Sequence, residues 1–543
     1  MKRLLYLILS FTIACSGPSA ETASKVITSE GIAADITILA ADSLQGRGPC
    51  TIGEVRTLSY LQSRMKELGL EPAFNGSYLQ QVPLVNIFTR LVGNVEIGSP
   101  NGDIPLINAE EITVWSPVLE KEIVLSNVPM VFVGFGIRAP EYGWDDYKGM
   151  DVRGKVVIVL VNDTGFYTKD TTLFKGNQMT YYGRWRYKFE EAERQGASAC
   201  IIVHEEAAAG YPWGVVQRRS NGSDYYVDEP IENKMNCKVQ GWITSDIARK
   251  LFTVSGLSYD ELKAASCNKG FSALPLLTTL SQRLENRWNK CVSYNVAGII
   301  RGSEKPNEAL VYAAHWDHLG IGTVVDGDSI YNGASDNAAA IAGMFAVAKA
   351  FKEMKQAPKR SVLFFVPTCE ESGMLGSTYY VNHPAIPMDS TIACLNSDVI
   401  LFLGKFKDVT VTGLGHSQLD DFLREEAEKQ GRYICNDPNP ENGMFYRSDQ
   451  LPFLLAGVPS LFAKGYTHQT ELGKEKTLAK IAEYWKTIYH KPSDQYDPIR
   501  DNLEGLVEDS KLFFLLGNRL TNDRMVPTWN EKSEFFKDRC IKP

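Results

Sequence analysis

The sequence predicts an α/β fold with a mixed, mostly parallel β-sheet flanked by helices, and three observations carry that expectation. From residue 293 onward, strand-like runs alternate with helical ones: "SYNVAGIIRG" and "ALVYAAHWDH", then "DNAAAIAGMFAVAKAFKEM" (336–354), then "RSVLFFVPTCEE". Strands alternating with helices lead to a parallel or mixed sheet covered on both faces. The polar residues able to do chemistry fall at the ends of the apolar runs, and open α/β sheets hold their ligands outside the carboxyl ends of the strands. The composition is globular, with 44% hydrophobic and 22% charged residues.

Each part of the 543-residue chain fits that frame in turn. "MKRLLYLILSFTIACSG" pairs Lys2 and Arg3 with an apolar run too short to span a membrane, which reads as an export signal over residues 1–20. "TIAC" resembles the lipobox of bacterial lipoproteins, with Cys15 as the lipidated residue, although Thr12 stands where leucine is usual. Ordinary secretion with cleavage near "PSA" (18–20) is the alternative. The expectation is an exported protein of the bacterial periplasm or cell envelope, touching membrane only through a lipid anchor. Residues 25–124 hold two amphipathic helices, near 29–42 and 52–68, the second stopped by Gly69, and a strand in "SYLQQVPLV". Residues 125–275 change texture, with "VPMVFVGFGI", "GKVVIVLVND" and "RYKFEEAERQGASACIIVHEE" reading as strand, strand, then helix and strand. His204, at the end of that last strand, reads as structural. Residues 290–543 carry the main α/β unit.

The net charge of −8 argues against nucleic acid as a partner, because phosphate binding needs a basic face. Export would permit disulfides among the ten cysteines, but the sequence picks out no pairing; there is no CxxC pair and no zinc-finger spacing, and Cys369 reads as a buried thiol.

The strand ends supply His315, Asp317 and His318 in "AAHWDHLG", Asp336 at the mouth of a helix, Glu370 and Glu371 in "PTCEES", Asp398 in "LNSDVI" and His490 in "YHKPSD". Taken singly, each has a plain explanation: Asp336 as a helix N-cap, the glutamates as a solvated loop, His490 as a surface histidine. Brought together at one sheet edge, that many carboxylates would repel one another and pay for desolvation unless a dication neutralised them. Nitrogen and oxygen donors without a thiolate suit zinc, and two ions sharing a bridging carboxylate fit this number of groups.

These motifs, in their order and spacing, resemble the M28 family of co-catalytic zinc aminopeptidases. "LQGRGPCTIGE" (44–54) is similar to a short motif preceding the family's catalytic domain, and residues 125–275 resemble the protease-associated (PA) domain inserted in some members. The resemblance covers nearly all of the chain beyond the signal. It implies two zinc ions, peptide substrates and hydrolysis by metal-activated water. His315 would bind one ion with Asp317 orienting its ring, Asp336 would bridge, Glu371 and Asp398 would be terminal ligands on different ions, His490 would complete the second site, and Glu370 would be the general base. His318 is expected in a supporting place.

Departures from the pattern matter. "FYRSDQLPF" has Gln450 where the family often has histidine, which leaves Ser448 and Asp449 a supporting role near substrate. A long stretch, "YTHQTELGKEKTLAKIAEYWKTI", would overhang the site, with Tyr466 a candidate oxyanion donor and His468 without a role. The rival functions are a glutamate carboxypeptidase-type exopeptidase, for which Arg447 is the one well-placed arginine, a single-zinc glutaminyl cyclase, and a catalytically inactive binding protein.

Overall fold

The computed structural model describes residues 18–217, 219–229 and 237–536. The expected signal and Cys15 lie outside the described residues. After a short helical segment at Ala20–Ala23, the first two long helices are α1 (Ser29–Leu39) and α2 (Ile52–Glu67). Each is capped by a threonine, Thr28 accepting from Gly31 N and Thr51 from Gly53 N. Gly69 follows α2 at φ 69°, the left-handed stop expected of it.

One sheet runs through the molecule. Its strands, in chain order, begin with β1 (Leu79–Gly98), β2 (Ile112–Trp115), β3 (Glu122–Phe132) and β4 (Val156–Leu160). Helix α3 (Trp185–Arg194) precedes β5 (Ala199–His204), β6 (Ser223–Val227) and β7 (Val239–Thr244). Then come β8 (Leu274–Ile300), β9 (Lys305–Ala313), α4 (Ala339–Glu353) and β10 (Arg360–Val366). The last part has β11 (Thr391–Asn396), β12 (Asp408–Val411), β13 (Tyr433–Asn436), β14 (Ser460–Lys464), α5 (Gly473–Thr487) and α6 (Glu504–Asn522). The sheet order is β13-β12-β14-β11-β9-β10-β8-β3-β4-β5-β7-β2, with β1 paired to β8 and β6 to β1.

The strands near the catalytic edge, β10, β9, β11 and β14, are mutually parallel. They are the buried apolar runs of the sequence, and α4 and α6 cover one face. Tyr312 of β9 stacks on Phe364 of β10 and donates from its hydroxyl to Phe513 O at 2.7 Å, which ties α6 to the sheet.

The sequence did not announce β8. It is 27 residues long and pairs antiparallel with β1 from Val296–Leu79 to Thr279–Gly98. This ribbon carries the sheet from the β9–β14 half into residues 122–244, where β3, β4, β5 and β7 are parallel. A disulfide joins Cys50, just before α2, to Cys291 on β8. Cys369 is a buried thiol, as expected. Among the described residues, no helix is long and apolar enough to cross a membrane.

Candidate metal centre

The site lies where the parallel strands end. β9 stops at Ala313 and delivers His315, β10 stops at Val366 and delivers Glu370 and Glu371, β11 stops at Asn396 and delivers Asp398, and β14 stops at Lys464 two residues before Tyr466. Asp336 is not a helix N-cap. It sits in a turn (Ala334–Ala338) with non-helical φ −121° and ψ 89°, just before α4. That conformation turns its carboxylate into the site.

Two groups of donor atoms converge there. His315, Asp336 and Asp398 form one; His318, Asp336, Glu371 and His490 form the other. Asp336 belongs to both: its Oδ1 is 3.4 Å from His315 Nε2 and its Oδ2 is 3.3 Å from His490 Nε2. His315 Nε2 is also 3.2 Å from Asp398 Oδ1, and His490 Nε2 is 3.0 Å from Glu371 Oε2. All the residues that the sequence singled out as ligands are therefore brought together, and His318 joins them.

The tautomers show what the site accommodates. His315 Nδ1 donates to the Asp317 main-chain carbonyl at 3.0 Å, which leaves the Nε2 lone pair of a neutral ring facing two carboxylates. His490 Nε2 is buried without a hydrogen-bond partner although two carboxylate oxygens lie within 3.3 Å. The His490 nitrogen points between its carboxylates, whereas His315 Nε2 is within hydrogen-bond distance of Asp398 Oδ1. Either the rings are protonated or a cation lies between them and the carboxylates, so the donor set fits a metal ion.

The electrostatics agree. Burial alone would raise the Asp336 carboxyl, but His315 and His490 outweigh it and hold Asp336 well below the usual carboxylate range. Glu371 likewise resists burial and falls to about 2 under the pull of His490 and a bond from His318. His490 rises to about 10 despite burial, through Glu371 and Asp336. Glu370 goes the other way: burial, with Asp398, Asp449 and Glu371 as neighbouring negative groups, pushes it well above its ordinary value against the opposing effect of His315. Adjacent glutamates thus differ in kind, one held as an anion and one inclined to keep a proton.

Asp317 works differently from the expectation. Its carboxylate is 3.7 Å from His315 Nδ1, too far for a hydrogen bond, and only its main-chain carbonyl holds the ring. The carboxylate instead accepts from Glu370 N at 3.0 Å and Glu371 N at 3.3 Å. It fixes the backbone of the glutamate pair. His318 Nδ1 stands 2.7 Å from Glu371 Oε1 and orients that carboxylate, while its ring packs edge-on against His490.

Ser448 and Asp449 are buried beneath the site. Asn396 Nδ2 donates to Ser448 Oγ and to Gln450 Oε1, and Ser377 Oγ donates to Asp449 Oδ1. Burial lifts Asp449 to about 7. Gln450 is a packed amide that also donates to Phe445 O. Tyr466 packs under α5, the helix formed by the long overhanging stretch, and its hydroxyl accepts from Trp485 Nε1 at 2.7 Å. His204 Nε2 donates to Tyr211 O among aromatic rings, and His468 lies against Tyr433 Oη; neither reaches the site.

Three residues that sequence reasoning missed complete the shell. Arg47 is fully buried and donates to the carbonyls of Trp316, Leu39, Asn332, Gly333 and Asp336 at 2.5–3.3 Å. Asp494 accepts from Ser335 N and Asp336 N. Lys464 Nζ donates to Asp398 O and Val399 O, and burial lowers its pKa to about 8. The signals were present, in the "LQGRG" motif and in the aspartate that ends "YHKPSD", but main-chain contacts leave no pattern in side-chain type.

Residues 295–512 match peptidase family M28. A probable leucine aminopeptidase 2 of Aspergillus oryzae is 27% identical over 278 residues, which is 49% of this chain and 51% of that protein. Leucine aminopeptidase 2 of Trichophyton rubrum is 26% identical over 216 residues, 38% of this chain and 39% of that one. The match thus spans about half or less of these curated relatives. The aminopeptidase from Aneurinibacillus sp. strain AM-1 shares the fold at a TM-score of 0.50 and 15% identity, over 94% of this chain and 97% of its own. The matched span, residues 295–512, holds both donor clusters.

Proposed function

We propose that the chain is an exported zinc exopeptidase that removes N-terminal residues from peptides. The observation that supports this most is Asp336, one carboxylate shared between two clusters with one oxygen towards each histidine. His315 and Asp398 would hold a first zinc ion, His490 and Glu371 a second, with Asp336 across both. When bound, the pair would polarise the scissile carbonyl and lower the pKa of a water molecule towards neutrality.

The chain's own residues would do the rest. Asp317 fixes the main chain of Glu370 and Glu371, and His318 fixes the carboxylate of Glu371. Glu370 Oε would take the proton of the attacking water and hand it to the leaving amine nitrogen; its raised affinity for a proton suits it to carry one between the two steps. Tyr466 is positioned by Trp485, which uses a lone pair of the hydroxyl and leaves the phenolic proton to be donated to a developing oxyanion. Residues 125–275 are read as a PA-like inserted domain and residues 1–20 as a lipoprotein signal acting through Cys15.

The experiment is a screen of peptides with free N-termini, blocked N-termini and blocked C-termini on the purified chain. Release of N-terminal residues from free but not blocked N-termini is expected. Cleavage of N-blocked peptides from the C-terminus, or cyclisation of N-terminal glutamine, would replace this reading with one of its rivals.

A further inference from the structure

Residues 199–244 hold two thiols that meet at one main-chain carbonyl. Cys200 lies on β5 and Cys237 two residues before β7, and both are buried. The two strands are parallel, with Val239 opposite Ala199 and Gln240 opposite Cys200. Val239 N donates to Ser198 O at 3.3 Å. In a parallel ladder the residue that donates to the one before its partner accepts from the one after it, so Val239 O takes the N–H of Cys200. The Cys237 thiol donates to that same oxygen at 3.5 Å.

The two side chains also share a face of the sheet, the one that α3 covers. The Cys200 thiol donates to Lys188 O on α3 at 3.6 Å, and Cys237 N donates to Glu193 Oε2 at 2.6 Å. Both cysteines belong to one apolar cluster with Phe189, Ala192 and Trp242, and among the described residues that cluster holds no other cysteine. Burial, then Glu193, raise the Cys237 thiol well above its ordinary range, while the Cys200 N–H, which faces the Cys237 sulfur, works the other way. Burial and the neighbouring Cys237 raise Cys200 in turn.

As thiols the pair make only weak bonds, each to a carbonyl. A disulfide needs Cα atoms about 4.4–6.8 Å apart and side chains that face each other. Cysteines that meet at one carbonyl on one face of a sheet are placed for that approach.

We propose that Cys200 and Cys237 are a disulfide site, oxidised as the chain folds after export. This rests on the exported reading above, because a reducing compartment would keep both thiols. Rotation of Cys200 about its Cα–Cβ bond, away from Lys188 O, brings the sulfurs together. The oxidant is another disulfide, of a thiol oxidase or of oxidised glutathione. Its S–S bond breaks as the one between Cys200 and Cys237 forms, and it leaves as two thiols with the two electrons and two protons that the cysteines give up. Thiolate is the attacking form, and burial disfavours it in the folded chain, so the bond is made while the segment is open and is shielded afterwards. It closes the loop that carries β6, which pairs with β1 from Ser223–Phe88 to Val227–Leu84. The staple thereby anchors the outer edge of the β1–β8 ribbon.

The test traps the chain, expressed with its own N-terminal segment in a bacterial host, with N-ethylmaleimide before lysis, then digests it with trypsin without reduction. Peptide 195–218 linked to peptide 235–238 is expected, beside the Cys50–Cys291 link as internal control. Reduced chain refolded in a glutathione buffer and digested in the same way should show the same link. Alkylation of both Cys200 and Cys237 after refolding, or either joined to a different cysteine, overturns the proposal. In the cells, alkylation of both while Cys50–Cys291 is linked overturns it as well. Alkylation of all four in the cells, with linkage after refolding, refutes the exported reading and leaves the site standing. The thermal midpoint should fall by a few degrees in Cys200→Ser, in Cys237→Ser and in the double variant, all three alike because they lose one bond. Variants that melt with the wild type, or a double variant whose loss is the sum of the singles, would show two independent thiols and overturn the staple.

Discussion

His490 Nε2 stands 3.0 Å from Glu371 Oε2 and is not hydrogen-bonded to it. The two come from a loop before α6 and from the end of β10, and either a protonated ring or a cation shared between them accounts for that approach of a ring nitrogen to a carboxylate; the second is what the proposed function requires. Purified chain should therefore contain close to two zinc ions. His490→Ala should bring the content to about one and lower kcat/KM by at least about 100-fold. Asp336→Asn, which alters both clusters, should leave less than one. Metal analysis by mass spectrometry decides it, and one ion or none in the wild type would end the two-zinc reading.

Glu370 and Glu371 are adjacent yet differ in proton affinity, which separates their roles. Glu370→Gln should keep the full zinc content, because Glu370 belongs to neither donor cluster. Its kcat should fall by about 10²–10⁴, the usual contribution of a general base. Glu371→Gln should instead lose zinc along with activity. If Glu370→Gln retains near-normal turnover, the proton is moved by another group.

The carboxyl edge of the sheet was legible because β9, β10 and β11 are apolar runs whose polar ends declare themselves; His315, Glu370 and Asp398 could be placed from "VYAAH", "VPTCEE" and "LNSD". What a contact does was less legible than where it lies. Asp317 was expected behind His315, and it is near, but the strand ends at Ala313 and the loop that follows turns the Asp317 carbonyl, not its carboxylate, to the ring. The ribbon of β1 and β8 was read only at one end, since "LSQRLENRWNKCV" spaces its apolar residues Leu280, Leu284 and Trp288 four apart and fills the buried positions between them with Gln282 and Asn286, so no period-two apolar pattern marks the strand. The Cys50–Cys291 bond depends on that ribbon's register and could not be inferred before it.

Arg47 shows how the N-terminal motif serves a site far along the chain. Its guanidinium holds the carbonyls of Trp316, Asn332, Gly333 and Asp336, clamping the two loops that carry His315 and Asp336. A lysine keeps the charge but has one nitrogen, which cannot span these acceptors. Arg47→Lys should destabilise the chain by about 3 kcal/mol, from buried carbonyls left without donors, and should weaken zinc retention in competition with a chelator. Urea midpoints and chelator titrations measure the two effects; unchanged zinc retention would show that the clamp serves folding alone.

Glu54 gives the fold a pH dependence with a definite sign. It sits on α2 beside the disulfide, with Oε2 accepting from Cys50 N and Oε1 buried without a partner. Burial raises its pKa from 4.5 to about 7, against the lowering effect of the Cys50 amide and the nearby Ser293 hydroxyl. The folded chain therefore holds this proton more tightly than the unfolded chain does. Stability from this residue is fully present below pH 4.5, declines as pH rises to about 7, and is constant beyond, the whole difference being roughly 3 kcal/mol. Glu54→Gln keeps an acceptor for Cys50 N and cannot ionise. It should be close to neutral at pH 4 and stabilising by about 1–3 kcal/mol at pH 8, read from urea unfolding at both pH values. An equal effect at the two would mean that the carboxyl stays ionised in the folded chain, with Ser293 and the Cys50 amide sufficient to hold its charge.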